Sequence, residues 1–358
     1  MKLDLRGAID CDLHPAVPSV KTLMPYLEPY WAESITDRAI DGLETMTSYP
    51  PTAPKTGRKD WRPEKGLAGS SLELMQKDAL DHFGLRYAIC NTLYGSQVLH
   101  NEYMAAALCR AVNDWVAAEW LDKDSRLRAS IQVPIQNPEL AVDEINRRAA
   151  DRRFVQVHVL AMADMPLGRR YYWPIFEACE KLGLPLGIHA GSMYRHATTS
   201  IGWPTYYIED YLANSQAFEA QVLSLVAEGV FEKFPKLRVV LIESGYTWLP
   251  GFIWRFNKTW RGVRSEVPWV KRPPAEIIRE HIRCTIQPTD APPTARQLQK
   301  VIDYIDSDQM LLFSTDYPHW QFDGDEVLPD GLTAQQIEQI AVRNPMETYS
   351  RLAETVAA

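Results

Sequence analysis

The sequence predicts a (β/α)₈ barrel, or TIM barrel, built from a chain of 358 residues. Eight short apolar segments rich in β-branched residues recur along it, and amphipathic helical stretches separate most of them. Near-continuous apolar strands are typical of a parallel sheet covered on both faces, and repeated strand–helix pairs are typical of an α/β fold. A doubly wound open sheet is the alternative, because alternation alone does not show whether the sheet closes. The barrel is favoured because the candidate chemical residues follow the carboxyl ends of strands.

The predicted strands and helices alternate in order along the chain. Apolar runs predict strands at residues 7–13, 87–93, 127–133, 154–160, 185–190, 237–242, 282–286 and 310–314. Apolar residues at helical spacing predict helices at residues 72–82, 102–121, 138–150, 173–182, 211–228, 248–263 and 294–305. Two further amphipathic stretches, one after residue 332 and one at residues 345–352, predict C-terminal helices that close the barrel.

A long insertion interrupts the alternation after the first strand. Residues 15–71 separate that strand from the first of the regular helices, and they include the turn-rich segment 49–57. Loops of this length are usually either disordered or functional, and the carboxyl end of a barrel strand lies at the barrel mouth. We therefore expect a lid or an oligomer contact within a single domain, residues 1–358.

The composition argues against several classes of partner. A net charge of −8 without a clustered basic face is unsuited to nucleic acid. No apolar run approaches the roughly 20 residues of a membrane-spanning helix, and the N-terminus does not resemble a signal peptide. The five cysteines are scattered and form no C-x-x-C pair, so neither disulfides nor a thiolate zinc site is indicated. We expect a cytoplasmic protein that acts on a small molecule, without a nucleic-acid or membrane partner.

Polar residues at the ends of three predicted strands form a candidate metal site. Asp12 and His14 alternate around Leu13, so both side chains point to the same face of the first strand. His189 lies at the end of the fifth strand, and Asp316 follows the eighth. Taken singly, either acid could cap a turn or helix, and His189 could be a hydrogen-bonded core residue. Together they form a nitrogen and oxygen ligand set suited to Zn²⁺ or Mn²⁺ rather than Ca²⁺.

Four segments resemble the amidohydrolase superfamily, and within it amidohydrolase-related family 2, the branch that contains aminocarboxymuconate-semialdehyde decarboxylase. They are residues 9–14 (IDCDLH), 187–191 (GIHAG), 242–250 (IESGYTWLP) and 314–319 (STDYPH). The resemblance implies a barrel with one divalent metal, Zn²⁺ as the first choice and Mn²⁺ as the second. It implies that Asp12, His14, His189 and Asp316 bind this metal and that Asp316 also moves a proton. Relatives commonly form dimers, so a homodimer or a higher homo-oligomer is expected.

Glu243 departs from the decarboxylase pattern, because the well-studied decarboxylases of this branch place a histidine at the end of strand six. Three roles are open for the carboxylate. It could be a general base for water activated by the metal, it could hold the turn after the strand by accepting backbone N–H bonds, or it could complete the metal shell. The departure weighs against decarboxylation.

Two further histidines are candidates for the site. His158 shares a face of strand four with Gln156, so both side chains could point into the barrel. His319 follows Asp316 by three residues and could hydrogen-bond either that acid or the substrate.

The loop after strand five and the end of strand eight supply candidates for substrate binding. Arg195 or His196 could clamp an anionic group of the substrate. An apolar wall could come from aromatic side chains, namely Tyr194, Trp203, Tyr206, Tyr207 and Trp320. The alternative for these residues is ordinary packing of the loop.

The leading hypothesis for function is a metal-dependent hydrolase. In it, Asp316 or Glu243 takes a proton from water activated by the metal, and hydroxide attacks an amide, lactone or related carbonyl of a small aromatic or unsaturated acid. The alternative keeps the site and changes the reaction to non-oxidative decarboxylation, with Asp316 protonating carbon. A barrel that only binds a small molecule is a third, non-enzymatic alternative.

Overall fold

The strands form one parallel sheet that runs around a barrel. The computed structural model describes residues 5–43, 57–319 and 327–354. Its strands are β1 (Ile9–Leu13), β2 (Tyr87–Cys90), β3 (Leu127–Gln132), β4 (Phe154–Met162), β5 (Leu186–Ser192), β6 (Val239–Ile242), β7 (Ile282–Thr285) and β8 (Leu311–Leu312). They pair in sequence order, and all neighbours are parallel. All eight predicted strands are therefore present.

Contacts between the ends of β1 and β8 distinguish a barrel from an open sheet. The N–H of Asp316 donates to the carbonyl of Asp12 over 3.1 Å. Leu13 and Tyr317 form a parallel bridge. The first and last strands therefore meet, which confirms the (β/α)₈ barrel and excludes the doubly wound alternative.

Helices follow most of the strands and cover the outside of the barrel. They are α1 (Val20–Leu23), α2 (Pro29–Asp37), α3 (Leu72–Met75), α4 (Glu102–Val116), α5 (Pro138–Arg148), α6 (Trp173–Leu182), α7 (Tyr207–Ala227), α8 (Val230–Lys233), α9 (Leu249–Val263), α10 (Pro274–His281), α11 (Ala295–Ile305), α12 (Ala334–Glu338), α13 (Asn344–Thr348) and α14 (Arg351–Glu354). π-Helical turns extend α3, α4 and α12. Within the described ranges, none of these helices combines the length and the apolar character needed to cross a membrane.

Two helices differ from the sequence-based expectation. α7 begins at Tyr207 rather than at residue 211, because the Glu209 side chain accepts the backbone N–H of Tyr206 over 2.7 Å and caps the earlier start. α10 follows Pro273 and begins at Pro274, a pair that in sequence is typical of a turn. A proline at the first helical position costs no backbone hydrogen bond, so the helix begins there without penalty.

Apolar side chains fill the barrel interior, and the C-terminal helices close its amino-terminal end. Ile9 and Val240 pack in the interior with Tyr349 and Leu352, and all four are fully buried. The hydroxyl of Tyr349 donates to Gln156 Oε1 over 3.2 Å. The predicted C-terminal closure is therefore present.

Part of the insertion packs against the barrel mouth. Gly57 pairs with His319 in an antiparallel bridge, and the ring of Trp61 lies 4.8 Å from the ring of Tyr317. Residues 44–56 lie outside the described residues. The role of the insertion as a lid or an oligomer contact stays a prediction.

Candidate metal centre and cavity

Five side chains converge just inside the barrel mouth; we call them the metal centre. Asp12 and His189 lie in β1 and β5, whereas His14, Glu243 and Asp316 directly follow or lie shortly after β1, β6 and β8. Each of these side chains is at most 8% exposed. They meet because parallel strands of a barrel end at the same rim.

The backbone is strained at two of these residues. Glu243 and Asp316 have φ values of +59° and +55°, in the left-handed region that costs a non-glycine residue about 1 kcal/mol or more. After β6 the turn is held by other groups: Glu243 N–H donates to the hydroxyl of Thr285 over 2.9 Å, and Asp290 accepts the N–H of Tyr246 over 3.1 Å. Asp290, rather than the Glu243 side chain, therefore accepts the backbone N–H bonds of this turn.

The distances between the donor atoms match those around a single metal ion. His14 Nε2 lies 3.2 Å from Asp12 Oδ1, 3.3 Å from Glu243 Oε1 and 3.0 Å from Asp316 Oδ1. His189 Nε2 lies 3.2 Å from Glu243 Oε1 and 3.7 Å from Asp12 Oδ1. Ligand atoms that share a metal at about 2.1 Å lie roughly 3.0–3.4 Å from one another.

Each of the five side chains of the metal centre has a buried polar atom without a hydrogen-bond partner among the described residues. Among the described residues, the buried atoms without a hydrogen-bond partner include Asp12 Oδ2, His14 Nε2, His189 Nε2, Glu243 Oε1 and Asp316 Oδ2. The other ring nitrogens are satisfied, since His14 Nδ1 lies 2.8 Å from the carbonyl of Asn91 and His189 Nδ1 lies 2.6 Å from that of Ala190. An N–H at Nδ1 leaves the lone pair on Nε2, as metal binding requires. The centre therefore fits one divalent metal.

Asn91, at the end of β2, holds Asp12 in place. Its Nδ2 donates to Asp12 Oδ1 over 2.9 Å and to the carbonyl of Cys11 over 3.2 Å. Its Oδ1 accepts the hydroxyl of Ser130 over 2.6 Å, and Ser130 Oγ accepts Gln156 Nε2 over 2.8 Å. A buried chain of hydrogen bonds thus supports the carboxylate from beneath.

The charges of the centre shift the pKa values of its members. Burial opposes ionisation, yet His14 and His189 hold the pKa of Asp12 well below its usual range, and His189 does the same for Glu243. Burial lowers the pKa of His189, but Glu243 and Asp12 outweigh it and raise that pKa to about 10. Burial, with the charge of Glu243, raises the pKa of Asp316 to about 6. Asp12 and Glu243 are therefore ionised, and a bound divalent cation would replace the protons that the imidazoles carry.

His319 lies at the edge of the centre and pairs with Asp316. Its Nδ1 lies 2.5 Å from Asp316 Oδ1 and 3.6 Å from Glu243 Oε1, and its ring stacks on that of His14 with 4.4 Å between centroids. Burial lowers the pKa of His319, but Asp316 outweighs it and raises the pKa to about 9. The pair is placed to hold a proton beside the metal centre.

A cavity of about 170 Å³ opens above the metal centre, and His189, Glu243 and His319 form part of its lining. Four tyrosines, two of them from α7, line it together with apolar side chains: Tyr94, Tyr194, Tyr207, Tyr211, Leu93, Val98, Leu160 and Met162. The first turns of α7 also contribute Asp210 and Asn214. This surface suits a flat, mostly apolar ligand with a polar group at the metal centre.

Comparison with known proteins agrees with the architecture. A family model described as Amidohydrolase (Amidohydro_2) matches residues 9–351. The chain belongs to this amidohydrolase family. The resemblance noted in the sequence is therefore confirmed.

Among related proteins, the gamma-resorcylate decarboxylase of Polaromonas sp. (strain JS666) is 26% identical over 277 residues, which cover 74% of this amidohydrolase and 82% of that enzyme. Two solved structures share the fold. An amidohydrolase of Mycobacterium avium subsp. paratuberculosis has a TM-score of 0.73 and 20% identity, covering 96% of this chain and 99% of its own. A dihydroxybenzoic acid decarboxylase of Polaromonas sp. JS666 with bound manganese has a TM-score of 0.66 and 21% identity, covering 96% and 97%.

The comparison corrects two predictions. The hydrolase is wrong as the leading hypothesis, because the gamma-resorcylate decarboxylase and the dihydroxybenzoic acid decarboxylase of Polaromonas, and a second gamma-resorcylate decarboxylase from Rhizobium sp., are decarboxylases. Zn²⁺ as the first choice is not supported, because the related decarboxylase structure contains manganese.

Of the predicted substrate residues, His158 lies near the metal centre but outside the described lining of the cavity. It is fully buried, its ring lies 5.3 Å from that of His189, and neither ring nitrogen has a hydrogen-bond partner in the described part of the chain. Burial, with His189 beside it, lowers the pKa of His158 far below its usual value, so the ring is neutral.

The predicted substrate residues Arg195 and His196, in the loop after β5, are not part of the described cavity lining. Arg195 donates to Asp164 over 2.9 Å, and His196 Nε2 lies 3.0 Å from the carbonyl of Ala163; neither side chain is among the described residues that line the cavity. These partners satisfy both side chains at the rim, so the structure does not place an anion clamp there.

Of the aromatic residues predicted for the wall, Tyr194 and Tyr207 line the cavity. Trp203 and Tyr206 are 60% and 67% exposed and do not line the cavity, and Trp320 lies outside the described residues. The observed wall contains Tyr207 and Tyr211, which the earlier start of α7 brings to the mouth. The spacing of Tyr207, Asp210, Tyr211 and Asn214 on one helical face is the sequence signal that could have identified this wall.

Proposed function

We propose that this amidohydrolase is a metal-dependent decarboxylase, a carboxy-lyase, of a small aromatic or unsaturated carboxylic acid. The observation that carries the proposal is the similarity to gamma-resorcylate decarboxylase over 74% of the chain. The metal centre and the tyrosine-lined cavity above it support it, because they offer one cation site beneath a surface for a flat ring.

The proposed metal ligands come from the metal centre: Asp12, His14, His189, Glu243 and Asp316. The first four bring ligand atoms within 4.8 Å of one another, and Asp316 belongs to an overlapping group with His14, Glu243 and His319. Three carboxylates and two imidazoles favour Mn²⁺, because oxygen-rich sites suit this ion better than softer sites do. When bound, the metal would anchor the substrate carboxylate with an adjacent oxygen and offset the charge of the reacting group.

The cavity would hold the ring of the substrate over the metal centre. Its volume of about 170 Å³ is close to that of an engineered apolar cavity of roughly 150 Å³ that binds benzene. One substituted ring is therefore the size class that fits. Tyr94 and the α7 tyrosines, Tyr207 and Tyr211, would pack against the ring and exclude water from it.

Asp316 and His319 would supply the proton. The bond between the ring carbon and the carboxylate breaks, its electron pair stays on the carbon, and CO₂ leaves. Asp316 delivers a proton to that carbon, and His319, whose Nδ1 lies 2.5 Å from Asp316 Oδ1, replaces it. A carboxyl group with its pKa raised to about 6 is a suitable acid near neutral pH.

The test measures CO₂ release by the purified protein from a panel of hydroxybenzoates and unsaturated acids, and product formation from matched amides and lactones. Metal content is determined on protein prepared without chelators, and activity is followed after chelation and after addition of Mn²⁺ or Zn²⁺. We expect CO₂ from at least one acid, loss with chelator and recovery with Mn²⁺. Hydrolysis of an amide or lactone without any CO₂ release would refute the proposal.

The predicted homo-oligomer and the cytoplasmic location stay predictions. Exposed tryptophans on and after α9, Trp254 at 53% and Trp269 at 42%, are compatible with an interface. Light scattering at micromolar concentration measures the oligomeric state directly.

A further inference from the structure

The cavity carries negative charge that the metal centre does not account for. Its described lining contains two carboxylates, Glu243 and Asp210, and neither a lysine nor an arginine. Glu243 belongs to the metal centre, where a cation would offset it. Asp210 is the remaining charge, and it lies on the α7 wall rather than at a strand end.

The surroundings of Asp210 leave its carboxylate incompletely satisfied. The hydroxyl of Thr198 donates to Oδ1 over 3.3 Å. Among the described residues no cation acts on this group, and burial raises its pKa. A partly buried carboxylate loses hydration, and one hydrogen bond from a hydroxyl compensates only in part. Its place in the first turn of α7 contributes a modest favourable dipole.

Asp210 faces the same cavity as the residues on either side of its helical turn. Tyr207 and Tyr211 line the cavity, and Asn214 one turn later lines it as well. The Asn214 amide donates to the backbone carbonyl of Asp210 over 2.9 Å, which braces this part of the helix. The carboxylate is thus presented on an ordered wall, beside the rings that would pack on a substrate.

We propose that Asp210 selects the substrate: it accepts a hydrogen bond from a hydroxyl or amino group on the ring of a monocarboxylic acid, and it excludes acids with a second anionic group at that position. This inference rests on the proposed decarboxylase function. A second carboxylate would meet Asp210 without a lysine or arginine to offset it, because the described lining contains neither and Arg195 is paired with Asp164 outside the lining.

Two variants distinguish the effect of a negative charge that lines the cavity from the effect of a negative charge elsewhere on α7. Asp210→Asn keeps the shape of the side chain and removes its negative charge. Glu209→Gln makes the same change one residue earlier, at an exposed position whose Oε2 accepts the N–H of Tyr206 over 2.7 Å outside the cavity. Melting temperatures of both are measured first, and Asp210→Ser replaces Asp210→Asn if that variant does not fold.

The readout is kcat/KM for CO₂ release from 2-hydroxybenzoate, its ring-hydroxylated and ring-aminated derivatives, and its ring-carboxylated derivatives. Ratios between these acids cancel any uniform loss of activity. We expect Asp210→Asn to reduce the preference for the best hydroxylated or aminated acid by about 10-fold or more, as loss of a hydrogen bond to a charged group implies. We expect it to raise kcat/KM for a carboxylated acid relative to 2-hydroxybenzoate, and Glu209→Gln to leave all ratios unchanged.

The outcomes distinguish this inference from the function on which it rests. Substrate ratios that stay the same in Asp210→Asn and the wild type, with CO₂ release intact, overturn the selection by Asp210 and leave the decarboxylase standing. Equal changes in Asp210→Asn and Glu209→Gln also overturn it, since they point to helix charge in general. A wild type that releases CO₂ neither from these acids nor from the unsaturated acids of the wider panel removes the proposed function and this inference together.

Discussion

The metal centre and the α7 wall of the cavity (Tyr207, Asp210, Tyr211 and Asn214) are constructed in different ways. The centre draws its side chains from the ends of β1, β5, β6 and β8, and each is at most 8% exposed. Backbone carbonyls hold His14 and His189, and Asn91 holds Asp12. The wall draws its side chains from one helical face, and they are partly exposed. Groups that need exact placement lie on the rigid strands, whereas groups that select a ligand lie where substitution costs less.

The largest expected effect comes from breaking the metal centre at β5. His189→Ala removes a buried ligand, so we expect metal content to fall below a tenth of the wild-type value and kcat/KM to fall about 10³-fold, as loss of several kcal/mol implies. Elemental analysis and CO₂ release measure the two quantities. His82→Ala, at an exposed position after α3, is the control. Full metal content in His189→Ala would contradict the assignment.

Glu243→Gln tests whether this residue is a metal ligand or acts as a base or substrate contact outside the metal shell. As a ligand it contributes charge to the metal, so we expect metal affinity to weaken about 100-fold, with part of the activity restored by excess Mn²⁺. Competition with a fluorescent chelator measures the affinity. An unchanged affinity together with reduced kcat would instead make Glu243 a base or a substrate contact, outside the metal shell.

A smaller effect is expected from replacing Asn91, which holds Asp12 in place. Asn91→Ala removes the donor to Asp12 Oδ1, and we expect metal affinity to weaken about 10-fold while the fold remains. The control is Asn101→Ala, which removes the N-cap of α4, where Asn101 Oδ1 accepts the N–H of Met104 over 3.1 Å. That variant is expected to lose about 1 kcal/mol of stability without any change in metal affinity. Equal metal affinities in the two variants would show that Asn91 does not position Asp12.

The smallest effect is expected at Tyr94, which lines the cavity from the segment after β2. Tyr94→Phe removes a buried hydroxyl that has no hydrogen-bond partner among the described residues, and burial raises the pKa of this phenol to about 12. We expect metal content to stay unchanged and kcat/KM to fall by about 3- to 10-fold only for acids whose substituent bonds this hydroxyl. Loss of metal in this variant would contradict the separation of the two regions, because it would mean that Tyr94 also supports the metal centre.

Much of the fold could be predicted because each strand and helix has its own periodic pattern. The eight strands and all seven regular helices lie where the sequence predicts them, and Asp12, His14, His189 and Asp316 come together as expected. Loop residues could not be placed in the same way. Arg195 has a salt-bridge partner, Asp164, that is distant in sequence, and no local pattern encodes that pair.

By itself the sequence determined the alternation of strands and helices and the polar residues at the strand ends, because burial of each element imposes a local period. Only the tertiary structure decided that β1 meets β8, that the Glu243 oxygen lies within 3.3 Å of both His14 and His189, and that Asp210 lines a cavity without lysine or arginine in its described lining. These facts depend on closure of the barrel, on the left-handed backbone at Glu243 and on which face of α7 lines the cavity. Each is set by contacts between distant segments rather than by neighbours in the chain.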